Sequence, residues 1–122
     1  MARHILETTN DPLNLIEQGA VKYDAGKSPL YRGCLGYFPR ALRAVADVSQ
    51  FGASKYAWNG WEHVPDGFLR YTDGLARHLS YEGEGQEIDP DSQLLHAQHV
   101  AWNALARLEL LLKERDAVHQ TS

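Results

Sequence analysis

A chain of 122 residues with a hydrophobic fraction of 43% and a charged fraction of 23% can bury one core and is too short for two. No apolar run approaches the ~20 residues that cross a bilayer, residues Met1 to Asn10 hold no apolar signal segment, and one cysteine, Cys34, cannot close an internal disulfide, so a cytosolic protein with no membrane partner is expected. The net charge of −4 excludes a general binder of duplex nucleic acid, which needs a basic surface, but leaves room for one small anion held by a few local cations.

Residues 1–20 read as an N-terminal arm, with a turn at Asn10-Asp11-Pro12. Residues 21–115 read as a single helical domain, and 116–122 as a polar tail that frays. From Gly19 to Gly36 four glycines and Pro29 predict loop. The first helix begins near Pro39, where the missing N–H costs nothing. Leu42, Val45, Ala46 and Val48 mark its apolar positions, and it ends near Phe51-Gly52 or runs on to Tyr56. Asn59-Gly60 is a turn. The second helix starts after Pro65 with Asp66 as N-cap, buries Phe68, Leu69, Thr72, Leu75, Ala76 and Leu79, and stops at Gly83 and Gly85. The third opens at Asp89-Pro90-Asp91-Ser92 and runs from Leu94 to about Arg115. The fold class is therefore all-α, a compact bundle of about three main helices with a loop-rich N-terminal region. Three helices leave apolar faces partly covered, so a homo-oligomer is expected to complete the bundle.

Five segments carry residues suited to chemistry. Lys22-Tyr23-Asp24-Ala25-Gly26-Lys27 places two ammonium groups in a loop that can cradle a phosphate, though without P-loop spacing, and taken alone the segment reads more readily as a solvated turn. Lys55-Tyr56-Ala57-Trp58-Asn59-Gly60-Trp61 offers stacking faces and an amide for a base or sugar, or else tryptophans that cover the core. On the second helix Asp73 and Arg77 share a face as an ion pair, His78 lies one turn beyond Gly74, and a mid-helix glycine costs ~1 kcal/mol, which suggests close approach of a backbone or ligand. On the third helix His96, His99 and Asn103 stand at i, i+3 and i+7 on one face, suited to holding a metal or phosphate. The carboxylates of Gly83-Glu84-Gly85-Gln86-Glu87 are candidates for Mg2+, or a solvated loop.

In order and spacing these blocks resemble a family of phage dATP/dGTP diphosphohydrolases, distantly similar to the all-α MazG-type nucleotide pyrophosphatases. The resemblance runs from about Val21 to Leu112 and rests on Lys22 to Lys27, Gly52-Ala53-Ser54-Lys55-Tyr56, Asn59, Trp61, Asp73, Arg77-His78, Gly85, Asp89 with Ser92, His96, His99 and Asn103. It implies hydrolysis of a purine deoxynucleoside triphosphate to monophosphate and pyrophosphate with Mg2+ or Mn2+. Carried onto this chain, His96, His99 and Asp73 are catalytic, and Asp89, His96 and His99 hold the metal. Lys22, Tyr23, Asp24, Lys27, Lys55, Tyr56, Asn59, Trp61, Arg77, His78 and Asn103 contact the nucleotide. The chain departs from the family pattern at Gln86, where glutamate is usual, at Gln93, where glycine is usual, and at Arg40 and Arg43, which replace acidic residues. Fewer carboxylates leave a second reading open, a protein that sequesters a nucleotide or cyclic-nucleotide immune signal without cutting it.

Overall fold

A computed structural model describes residues 26–121. The expected contacts of Lys22, Tyr23 and Asp24 lie outside these residues. The chain divides into two units, Met1–Leu42 and Arg43–Ser122.

In the first unit the predicted loop is interrupted by a π-helical turn, Tyr31–Leu35, closed by the Gly36 N–H donating to the Tyr31 carbonyl. The glycine count hid this turn, because Gly33 and Gly36 sit within its wide i→i+5 geometry rather than breaking it. Three helices follow: α1 (Pro39–Lys55), α2 (Gly67–Gly83) and α3 (His96–Thr121). A 3-10 turn, Gly60–His63, joins α1 to α2. The described residues contain no strand, only an isolated bridge between Ile88 and Leu95. The all-α class with three main helices is as the periodicity predicts.

The second unit is organised around α2 and α3, an antiparallel pair. Gly67 faces Leu110, Thr72 accepts a hydrogen bond from Arg107 Nε, Gly74 faces Asn103 and His78 stacks on His99. From α1, Ser49 Oγ accepts from Trp102 Nε1 and the Ala44 carbonyl accepts from Gln98 Nε2. The buried apolar side chains among the described residues are Val48 and Ala106, whereas His96, His99 and Asn103 are buried and polar.

The helix ends show where local signals hold and where they fail. α2 stops as its glycines predict. Gly85 takes φ +95, the Gln86 N–H reaches back to the Tyr81 carbonyl and the Gly85 N–H to that of Glu82, which is a Schellman closure. Asp66 precedes α2 as expected, but at φ 55 and without a side-chain cap bond. The start of α3 lies at His96 and not at Asp89-Pro90-Asp91-Ser92. Asp89 Oδ2 folds the chain on itself by accepting from the Ser92 N–H and hydroxyl, and Gln93 then takes a left-handed φ of 64, which no helix tolerates. The helix is capped instead by Gln98, whose Oε1 accepts from the Leu95 N–H, the back-bond of a capping box. At its other end α3 runs on to Thr121, through the segment predicted to be a fraying tail from Asp116.

Candidate functional site

Three short rules of local structure bring the site together. The Schellman closure aims Gln86 toward the start of α3. The Asp89–Ser92 turn presents a carboxylate beside it. The i, i+3 spacing stacks His96 and His99 on the face of α3 that meets His78 of α2. The result is a part-buried imidazole cluster. His78 Nδ1 and His96 Nδ1 lie 2.8 Å apart. His96 Nε2 is 2.7 Å from Gln86 Oε1. His78 and His99 rings stack at 4.3 Å with 8° between their planes. Tyr81 covers His96 and Phe51 meets His99 edge-on.

The partners fix the protons. Gln86 Oε1 only accepts, so in the neutral ring His96 carries its proton on Nε2 and its bare Nδ1 accepts from His78 Nδ1–H. Ser92 Oγ gives its one proton to Asp89 Oδ2 at 2.7 Å, and accepts from the Leu94 N–H and from His99 Nε2–H, also at 2.7 Å. Serine, histidine and aspartate are thus adjacent but not a nucleophilic triad, because the hydroxyl proton points at the carboxylate and not at the imidazole. Burial, with the neighbouring His99, pushes His78 down to about 4. Burial also lowers His99, with Asp89 opposing. Burial pushes the Asp89 carboxyl up, but the Ser92 hydroxyl and N–H outweigh it and hold Asp89 below the usual carboxylate range. At neutral pH the cluster therefore combines neutral His78 and His99 rings with one ionised carboxylate.

One ligand atom from each of His78, Asp89 and His96 lies within 4.8 Å of the others. Two imidazoles and a carboxylate are a donor set for a divalent cation. Of the expected metal set, Asp89 and His96 fall in this group together with His78, while His99 Nε2 is engaged with Ser92 and sits 3.5 Å from Asp89 Oδ2. Glu84 and Glu87 are exposed and do not join this group.

The other predicted residues divide. Lys55 pairs with Asp91 at 2.8 Å, which raises its pKa, and lies over the Phe51 ring that abuts His99. It is thus linked to the cluster, with its charge already partnered. Tyr56 is 72% exposed and Asn59 also faces solvent. Trp61 is a packing residue against Tyr71 and Trp102, its carbonyl accepting from Tyr71 Oη. Trp58, 66% exposed, does not cover the core. Asp73 and Arg77 are exposed and form no ion pair with each other, and Asp73 stands apart from the metal donors. Asn103 is buried and its amide donates to the His99 carbonyl. A Cβ on Gly74 would stand 2.9 Å from Asn103 Oδ1; the close approach inferred at this glycine is that of a side-chain amide. Lys27 is exposed in the first unit. A cleft of about 370 Å³ lies elsewhere, lined by Glu62, Asp66, Phe68, Leu110 and Glu114; three carboxylates make it a poor host for a polyphosphate.

The sequence placed Ser92 and the Gln86 position in the family pattern but gave neither a role at the site, and it did not single out Tyr81. Asp89 three residues before Ser92 was a usable turn signal. Nothing local marked Gln86 or Tyr81, whose roles depend on where α3 returns.

The site thus defines an all-α protein with a buried imidazole–carboxylate cluster fit for a divalent cation. The chain belongs to the family described as dATP/dGTP diphosphohydrolase, N-terminal, whose model matches residues 16–120. No curated protein and no solved structure matches it. No helix among the described residues is long and apolar enough to cross a membrane.

Proposed function

We propose that the protein hydrolyses a purine deoxynucleoside triphosphate to the monophosphate and pyrophosphate, with Mg2+ or Mn2+, in the cytoplasm of a phage-infected bacterium. The observation that carries this reading is the convergence of His78, Asp89 and His96 in a chain whose family is named for that reaction. A cation held there supplies Lewis-acid polarisation of a phosphoryl oxygen and a more acidic bound water. The chain's own residues do the rest. His99 stays neutral at pH 7 and, with its Nε2–H given to Ser92, offers Nδ1 as the ring nitrogen that can take a proton, while His78 and His96 would hold the cation. Lys55 and Arg77, both exposed, meet the phosphates once Asp91 yields Lys55. Tyr56 and Asn59 have free faces for base or sugar.

Two copies pairing through α3 would cover Leu105, Leu108 and Leu112, one stripe of half-exposed leucines; light scattering that gives twice the chain mass supports this pairing, and the mass of one chain removes it. The function is tested by incubating the protein with dATP, dGTP, pyrimidine triphosphates and cyclic nucleotides, with Mn2+, with Mg2+ and with neither, and following pyrophosphate release. Metal-dependent release from purine substrates, lost at least 100-fold in His96→Ala, is expected. Stoichiometric binding with the nucleotide recovered intact would replace the reading with sequestration.

A further inference from the structure

The choice between an oxygen-preferring ion such as Mg2+ and a softer one is written in the donors of the cluster. Mg2+ takes oxygen ligands, demands near-octahedral geometry and sheds water reluctantly. Here the only carboxylate among the three grouped side chains is Asp89, and the other two are imidazoles. Imidazole suits Zn2+, Ni2+, Co2+ and their neighbours.

The geometry points to a site for one transition-metal ion per chain, held by His78 Nδ1, His96 Nδ1 and the Asp89 carboxylate, at which Mg2+ does not compete. The inference rests on the reading of this cluster as the working centre, and it narrows the Mg2+ or Mn2+ of that reading to a transition-metal ion. The two Nδ1 atoms face each other at 2.8 Å. Two nitrogens bound to one ion at 2.0–2.1 Å stand roughly 2.9–3.4 Å apart, so a modest opening of this pair seats the metal. The proton between the rings has somewhere to go. It leaves His78 Nδ1 as that ring changes tautomer to carry it on Nε2, with no net loss of a proton.

The outer contacts that a metal site needs already exist. His96 donates Nε2–H to Gln86, which fixes the tautomer that leaves Nδ1 bare. Ser92 holds Asp89 Oδ2 through both its N–H and its hydroxyl, and His99 in turn donates to Ser92. Ser92, His99 and Gln86 are positioning residues in this scheme, and none is a ligand. A divalent ion beside neutral imidazoles and one carboxylate leaves a net positive centre, which suits an anionic polyphosphate.

The experiment titrates untagged, metal-free, full-length protein with Co2+ in the absence of nucleotide, following visible absorption and calorimetry, and repeats it in a thousandfold excess of Mg2+. One Co2+ per chain, ligand-field bands typical of nitrogen donors and indifference to Mg2+ are expected. Asp89→Asn, which keeps the Ser92 hydrogen bonds and removes the charge, and His78→Ala should each weaken Co2+ at least 100-fold, while circular dichroism reports the fold. Gln86→Glu, which gives the His96 N–H a carboxylate acceptor, should strengthen Co2+ by about 10-fold; a merely structural Gln86 would leave Co2+ affinity unmoved. Mg2+ displacing Co2+, or Asp89→Asn binding Co2+ as the parent does, overturns the assignment. Co2+ bound as described without pyrophosphate release would sink the hydrolase reading and leave the metal site standing. Hydrolysis supported by Mg2+ with no Co2+ at these residues would do the reverse.

Discussion

The two ends of the α2–α3 pair are built on opposite principles. Near Gly83 and His96 the interface is polar: His78, His96, His99 and Asn103 meet there, and no buried side-chain nitrogen or oxygen among the described residues lacks a hydrogen-bond partner. Toward Gly67 and Leu110 it turns aromatic and apolar: Trp102, the residue before Asn103, stands in edge contact with Trp61 and Tyr71, and beyond it Phe68 lies against the Arg107 guanidinium. The polar end is specified by direction, because each ring is held through at least one nitrogen by a hydrogen bond of fixed partner and distance. The apolar end is specified by area and tolerates rearrangement. A pair of helices zipped by apolar contact at one end can hold a polar cluster at the other, where the stacked imidazoles contribute chemistry more than cohesion.

The sharpest way to break that comparison is Trp102→Ala. It removes the ring contacts with Trp61 and Tyr71 and the bond to Ser49, and about 3 kcal/mol of stability should go with it, while Co2+ affinity of the folded fraction stays unchanged. Urea melts beside a Co2+ titration check this, and a weakened metal site would show that the ends are not separable.

Next in size is a matched pair of substitutions. Gly67→Ala and Gly74→Ala each bring a Cβ to 2.9 Å of a neighbour. At Gly67 the neighbour is Leu110 Cδ1, the tip of a side chain beside an open cleft, and the change should stay within about 0.5 kcal/mol. At Gly74 it is the buried Asn103 amide, tied to the His99 carbonyl. Displacing it should cost about 1–2 kcal/mol net of the helix-propensity gain. Equal melting temperatures for the two variants would mean the polar end is as yielding as the apolar one.

The polar end should also be the pH-sensitive one. The folded value of His78, about 4, lies below its ordinary 6.5. The unfolded chain therefore binds the proton first, so this contribution is whole above pH 6.5 and is lost as pH falls toward 4. After discounting for a ring still partly open to solvent, the loss is roughly 1–2 kcal/mol. His99 adds in the same direction. Melting temperature should hold between pH 8 and 7 and fall from 6.5 to 4, and His78→Gln should flatten the slope; an unchanged slope assigns it to other groups.

The smallest effect is expected at Gln93→Gly. Its left-handed φ of 64 is strained for glutamine, and glycine should stabilise the fold by about 0.5–1 kcal/mol even after losing the bond from Gln93 Nε2 to the Pro90 carbonyl. A loss of stability in a denaturant melt would show that the bond outweighs the strain.

The sequence by itself determined the three helices, the stop at Gly85 and the shared face of His96, His99 and Asn103, because periodicity and end signals act within a few residues. It also carried the family, through the order and spacing of its motif residues. Only the tertiary structure decided which side chains meet. His78 stands with Asp89 and His96 as a candidate metal donor because α2 packs antiparallel on α3. Gln86 entered the site because a Schellman closure turns it toward His96. The Asn103 amide is engaged within its own helix, opposite Gly74. The start of α3 moved from Asp89 to His96 because the Asp89 carboxylate found Ser92 rather than a helix N-terminus. Spacing along one helix fixes a direction for each side chain, but the partner it points at belongs to another segment, and that segment's position is set by packing over the whole chain.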